Sequence, residues 1–108
     1  AADIGRVLNP GLARQAIESG AVFGLAAAVG ATTRYRKGIT RARHMGDLGL
    51  PTLAQMPAIT VELIDSQRAP GGASEIGVVA IAPAIANALH TVTGRRSRRW
   101  TLSEKPLP

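Results

Sequence analysis

PGGASEIGVVAIAPAIANALHTVTG, residues Pro70 to Gly94, divides into three parts. Pro70-Gly71-Gly72 is a turn with almost no side chains. Glu75 is the one carboxylate between Asp65 and Glu104, and an Ala/Ile/Val/Leu run follows it without a charge until Arg95. Such a run predicts a helix. Pro83 fits a first helical turn or marks a kink; the regular helix is expected from near Ala82, with Gly94 in the C′ place. Asn87 would then sit in an apolar setting and need a hydrogen-bond partner. A lone acid at the mouth of an apolar helix is a candidate general base. Burial there is expected to raise its pKa, which suits a group that takes a proton near neutral pH. The plainer reading is a solvated acid held by the helix dipole.

Upstream, Asn9-Pro10 is a helix start, with Asn as N-cap and Pro at the first helical position. Leu12, Ala13, Ala16, Ile17, Ala21 and Leu25 recur at three- and four-residue spacing, which predicts a helix from Pro10 to about Val29. Gly20 and Gly24 lie four apart on one face and allow another backbone to come close. The end of this helix, GAVFGLAAAVG, is apolar all round and needs cover on every side. Ala31–Lys37 and Ile39–Arg43 predict a basic hairpin turning at Gly38. His44–Pro57 has two Gly and two Pro after its His and reads as a loop. His44 near Asp47 has no third partner to make a metal site. Ala58–Ile64 alternates as a strand should. Ala1–Leu8 reads as a strand end, Arg98–Leu102 as a short strand, and Ser103–Pro108 as a tail.

The chain of 108 residues is 45% apolar, but has one Trp, one Tyr and one Phe. A core so poor in rings buries little area per residue, which suggests packing against something else. With no cysteine, the chain offers no disulfide, zinc cluster, iron–sulfur ligand or thiol nucleophile. The net charge is +6, concentrated in Arg34–Arg43 and Arg95–Arg99. No nucleic-acid motif surrounds Tyr35 or Trp100, so nucleic acid is not the expected partner. Ala21–Gly30 is about half the length of a membrane span and no signal peptide is visible. The chain reads as soluble, in a cytoplasmic or periplasmic setting that the residues leave open.

Several separated motifs resemble one family. Pro70-Gly71-Gly72, Glu75, Gly77, Pro83-Ala84, Ala86-Asn87-Ala88 and Thr93-Gly94-Arg95 hold the places of the family pattern PPGGVGEPG, PAxANA and TGKR. Upstream, GRVLNP (Gly5–Pro10), IESGAVFGLAAAV (Ile17–Val29) and QMPAITVELI (Gln55–Ile64) fit the same pattern. Together they resemble the C-terminal part of the molybdenum-binding large subunit of the xanthine dehydrogenase/aldehyde oxidase family. The nearest branch holds the isoquinoline 1-oxidoreductase beta subunits and bacterial aldehyde dehydrogenases. Ser74 replaces the usual Gly before the glutamate, and Ile76 replaces the usual Pro after it.

The resemblance implies an α+β fold with two main helices and about four to five strands. All of residues 1–108 would form one segment of a larger molybdenum-binding domain, incomplete on its own. It implies hydroxylation of an N-heterocycle or oxidation of an aldehyde, with water as the oxygen source and Glu75 as general base. Gly72, Ala73 and Ser74 would lie against a molybdenum-pterin cofactor in its cytosine dinucleotide form. No residue here would ligate a metal, and the chain alone would hold no cofactor and be inactive. The implied partners are the remainder of the large subunit and an iron–sulfur small subunit, with no membrane span. Two alternatives stand beside this reading: a non-catalytic orphan domain of the same fold, and a basic binding module using Arg95–Trp100.

Overall fold

Helix α1 spans Pro10–Val29, the limits that the sequence predicts. Asn9 caps it, its side-chain oxygen accepting from the Leu12 N–H at 3.1 Å. Gly30 closes it in the left-handed conformation, φ 111°, and Ala31 N–H returns to the Ala26 carbonyl at 2.9 Å. These features belong to a computed structural model of the chain in which residues 1–98 and 101–102 are described.

A hairpin follows, with β1 at Tyr35–Arg36 and β2 at Ile39–Thr40. Lys37 and Gly38 both have positive φ, 52° and 78°, as a tight two-residue hairpin turn requires. The loop after it holds two single 3₁₀ turns, Met45–Leu48 and Leu53–Gln55. Asp47 ties the first, accepting from the N–H groups of Arg43 and His44 at 2.8 and 3.3 Å.

Helix α2 spans Ser74–Thr93. It does not begin near Ala82: Pro83 lies inside it. A proline there removes one N–H and crowds the preceding turn. The turns before it are held by packing on α1, and tertiary contact overrides the local preference. Asn87 is exposed and needs no internal partner.

The two segments expected as strands at Ala1–Leu8 and Ala58–Ile64 form no strand of their own and meet in one parallel bridge, Ala2 with Leu63. The Ala2 N–H donates to the Glu62 carbonyl at 2.8 Å, and Ile64 N–H to the Ala2 carbonyl at 2.9 Å. Gly5, at φ 71°, turns the first segment away after Ile4 and ends the ladder. Arg99, Trp100 and the tail from Ser103 lie outside the described residues, so the short strand expected at Arg98–Leu102 is described only at its ends.

Ala2, Ile4 and Ile17 are buried together, with Val7, Ala13, Val61, Leu63, Ala73 and Ile76 packed around them. This cluster joins the N-terminal segment, α1 and the start of α2. The two helices meet backbone to backbone. A methyl on Gly20 would strike the Ser74 carbonyl, one on Gly24 would lie 2.5 Å from the Val78 carbonyl, and one on Gly77 would strike the Ile17 carbonyl. Of the two glycines read from the sequence as an approach surface, Gly20 thus meets Gly77 of the partner helix and Gly24 meets the Val78 backbone.

Candidate functional site

The site is built from Pro70 to Ile76, and three supports fix its backbone. Gly71 N–H donates to the Ile4 carbonyl at 2.8 Å, and Arg6 N–H to the Arg68 carbonyl at 2.9 Å. These bonds hang the glycine turn on the N-terminal segment. Gly20 of α1 backs the Ser74 carbonyl. Ala73 and Ile76 pack into the Ala2–Ile4–Ile17 cluster, one on each side of Ser74-Glu75. The chain therefore presents Ser74 and Glu75 outward from a turn anchored on both flanks.

Glu75 is exposed in the first turn of α2. Ser74 Oγ donates to its Oε2 at 2.9 Å. The carboxyl sits below its ordinary range, first because its own backbone N–H donates to it and then because of the Ser74 hydroxyl. The raised pKa expected from burial is therefore corrected. Glu75 has no apolar shell within this chain, and two donors favour its ionised form. An ionised carboxylate can accept a proton, and the lowered pKa makes Glu75, in this chain alone, a weaker base than a buried carboxylate would be.

The other residues singled out from the sequence differ in what they offer. Gly72 is exposed, and the Glu75 carboxylate fills the space where a Gly72 side chain would be. Ala73 turns its methyl into the core, so only its backbone can face a ligand. Ser74 is exposed and committed to Glu75. The first-turn amides of a helix lack helical partners and suit an anionic group. His44 Nε2 lies 3.3 Å from Asp47 Oδ1, a local pair that closes a turn. Among the described residues no three His, Cys, Asp or Glu side chains form a metal-binding group. Arg95, Arg96 and Arg98 are exposed. A cleft of about 290 Å³ opens beside Arg6, Arg14 and Asp65, away from residues 70–75. Sequence reasoning missed Ile4 as the support of the glycine turn. Ile4 and Gly71 are far apart in the chain, and neither carries a local signal of the other.

The chain is 32% identical over 98 residues to the isoquinoline 1-oxidoreductase subunit beta of Brevundimonas diminuta. The match takes in 91% of this chain and 12% of that protein. The chain is a homologue of a segment of that beta subunit. The membrane-bound aldehyde dehydrogenase (pyrroloquinoline-quinone) of Gluconacetobacter polyoxogenes is 29% identical over 96 residues, 89% of this chain and 12% of that one. Among solved structures, the Cu,Mo-CO dehydrogenase in its carbon monoxide reduced state shares the fold. Its TM-score is 0.68 at 23% identity, over 82% of this chain and 12% of that chain. No protein-family model matches. The expected resemblance to the isoquinoline 1-oxidoreductase beta subunits is borne out over 98 residues of the chain. The α+β architecture is that of a segment within a much larger chain.

Proposed function

We propose that the chain forms part of a molybdenum hydroxylase acting on N-heterocycles or aldehydes. In that reaction a substrate C–H becomes C–OH, the oxygen comes from water, and two electrons and two protons leave. When bound, the molybdenum-pterin cofactor, proposed in its cytosine dinucleotide form, supplies the two-electron acceptor. Glu75 is the general base, taking a proton from the water-derived oxygen as it attacks carbon. Removing that proton in the transition state is worth typically about 10²–10⁴-fold in rate.

The exposed, ionised Glu75 on an anchored turn is the observation that supports this reading. The residues also fit a large anionic group. A methyl on Gly71 would meet nothing closer than the Ile4 carbonyl at 3.5 Å, so the turn is open to close approach at Gly71, while the Glu75 carboxylate takes the space at Gly72. Gly72, Ala73 and Ser74 would meet the cofactor through their backbone. The remainder of the large subunit would cover the site and hold the rest of the cofactor. An iron–sulfur chain would carry the electrons away. The name of one relative includes a quinone cofactor, whereas the fold is shared with a molybdenum enzyme, which favours molybdenum here.

The test uses the full-length protein. Purified active enzyme should contain molybdenum, and turnover in ¹⁸O-labelled water should place one labelled oxygen in the product. Activity without molybdenum, or product oxygen drawn from dioxygen, would refute the reading.

A further inference from the structure

Two residues beside Glu75 act on its side chain. The Ser74 hydroxyl donates to Oε2 at 2.9 Å. On the other side, a Cβ on Gly72 would collide with Oε1 and come within 2.7 Å of the carboxyl carbon. The carboxylate therefore folds back against Gly72, into space that exists because residue 72 has no side chain. The backbone beneath is anchored by Ile4, Gly20 and the core contacts of Ala73 and Ile76. The side-chain torsions of Glu75 are then the freedom that remains, and Ser74 and Gly72 restrict them.

We propose that Ser74 and Gly72 are positioning residues that hold the Glu75 carboxylate in one folded-back pose against the start of α2. The proposal rests on Glu75 being the base. Ser74 supplies the bond, and Gly72 supplies the room. A serine in this place gives the carboxylate a donor that the family's usual glycine lacks. The facing helix carries Arg14 and Glu18, and the N-terminal segment carries Asp3 and Arg6. The groups that lower Glu75 are its own N–H and the Ser74 hydroxyl.

The test uses the full-length enzyme with Ser74→Ala, Ser74→Thr, Gly72→Ala and the Ser74→Ala/Gly72→Ala double variant. Ionisation of Glu75 is followed by infrared titration of ¹³C-glutamate protein, assigned by its loss in Glu75→Gln. The acidic limb of kcat/KM against pH is recorded beside it. Ser74→Ala should move both the titration midpoint and the acidic limb to higher pH, and Ser74→Thr should restore them. Gly72→Ala should displace the carboxylate from the Ser74 hydroxyl, so the double variant should shift no further than Ser74→Ala alone. A Ser74→Ala midpoint equal to the parent's, or fully additive shifts in the double variant, would overturn the proposal. A midpoint that moves in Ser74→Ala while Glu75→Gln keeps full turnover would leave the pose standing and refute the base.

Discussion

Asp3 shows how much of the site depends on single polar groups away from it. Its Oδ1 accepts from the Gly5 N–H at 3.0 Å, and its Oδ2 pairs with Arg68 Nη1 at 3.3 Å. The Gly5 N–H lowers its pKa most, with Ser66 and Arg68 adding to the effect. A carboxyl depressed in the folded state contributes stability above its unfolded pKa and loses it as pH falls through the folded value. These bonds fix the segment whose Ile4 carbonyl receives the Gly71 N–H. Asp3→Asn should therefore speed hydrogen exchange in residues 1–7 and 66–72 near neutral pH. The difference from the parent should shrink as pH falls below the carboxylate range. Equal exchange in both proteins at neutral pH would show that the turn does not depend on Asp3. Gly5 is equally constrained: at φ 71°, a side chain there would strike the Ala69 carbonyl.

Between the two helices, glycine has opposite effects on the element and on the pair. Each Gly within a helix costs about 1 kcal/mol against Ala, so an unpacked helix gains from Gly→Ala. Gly77 is the buried residue of α2, and a methyl there would meet the Ile17 carbonyl and lie 2.7 Å from the Ala21 nitrogen. Gly77→Ala should therefore destabilise the protein by about 1–3 kcal/mol, the usual cost of overpacking, in denaturant unfolding of the full-length protein. A gain in stability would mean that the helices do not touch as described. Helix α1 was legible to the residue because its cap, its apolar spacing and its closing glycine agree. The start of α2 was not, because Pro83 is a strong local signal and the packing that outweighs it is non-local. The carboxylate was legible as a lone acid, and its pKa direction was not. Burial cannot be read from an apolar run whose helix proves largely exposed, and the donor from Ser74 depends on a rotamer.

At the scale of the whole molecule, the apolar surface is larger than this chain covers. Ala2, Ile4, Ile17, Ala21 and Ala28 are the buried apolar residues, and no large side chain is fully buried among the described residues. Phe23 is 69% exposed, Val79 73% and Val92 85%. The radius of gyration is 16.4 Å, against about 13 Å for a compact domain of this length. By length and composition α2 could cross a membrane, and Gly77 is its buried residue. Its Gly77 face lies on α1, and Glu75, Pro83, Asn87 and His90 interrupt its apolar surface. Such a helix suits a protein interior, and the relatives, of which this chain spans 12%, have the length to provide one. Covering would also exclude water from Glu75 and strengthen the electrostatics of the proton transfer proposed for it. We propose that this helix pair delivers Glu75 as the base to a site completed by the rest of the protein. Turnover and molybdenum content of full-length Glu75→Gln, measured on the same samples, test it most directly. Molybdenum should be retained and kcat lowered by about 10²–10⁴-fold; unchanged kcat with molybdenum retained would rule out Glu75 as the base.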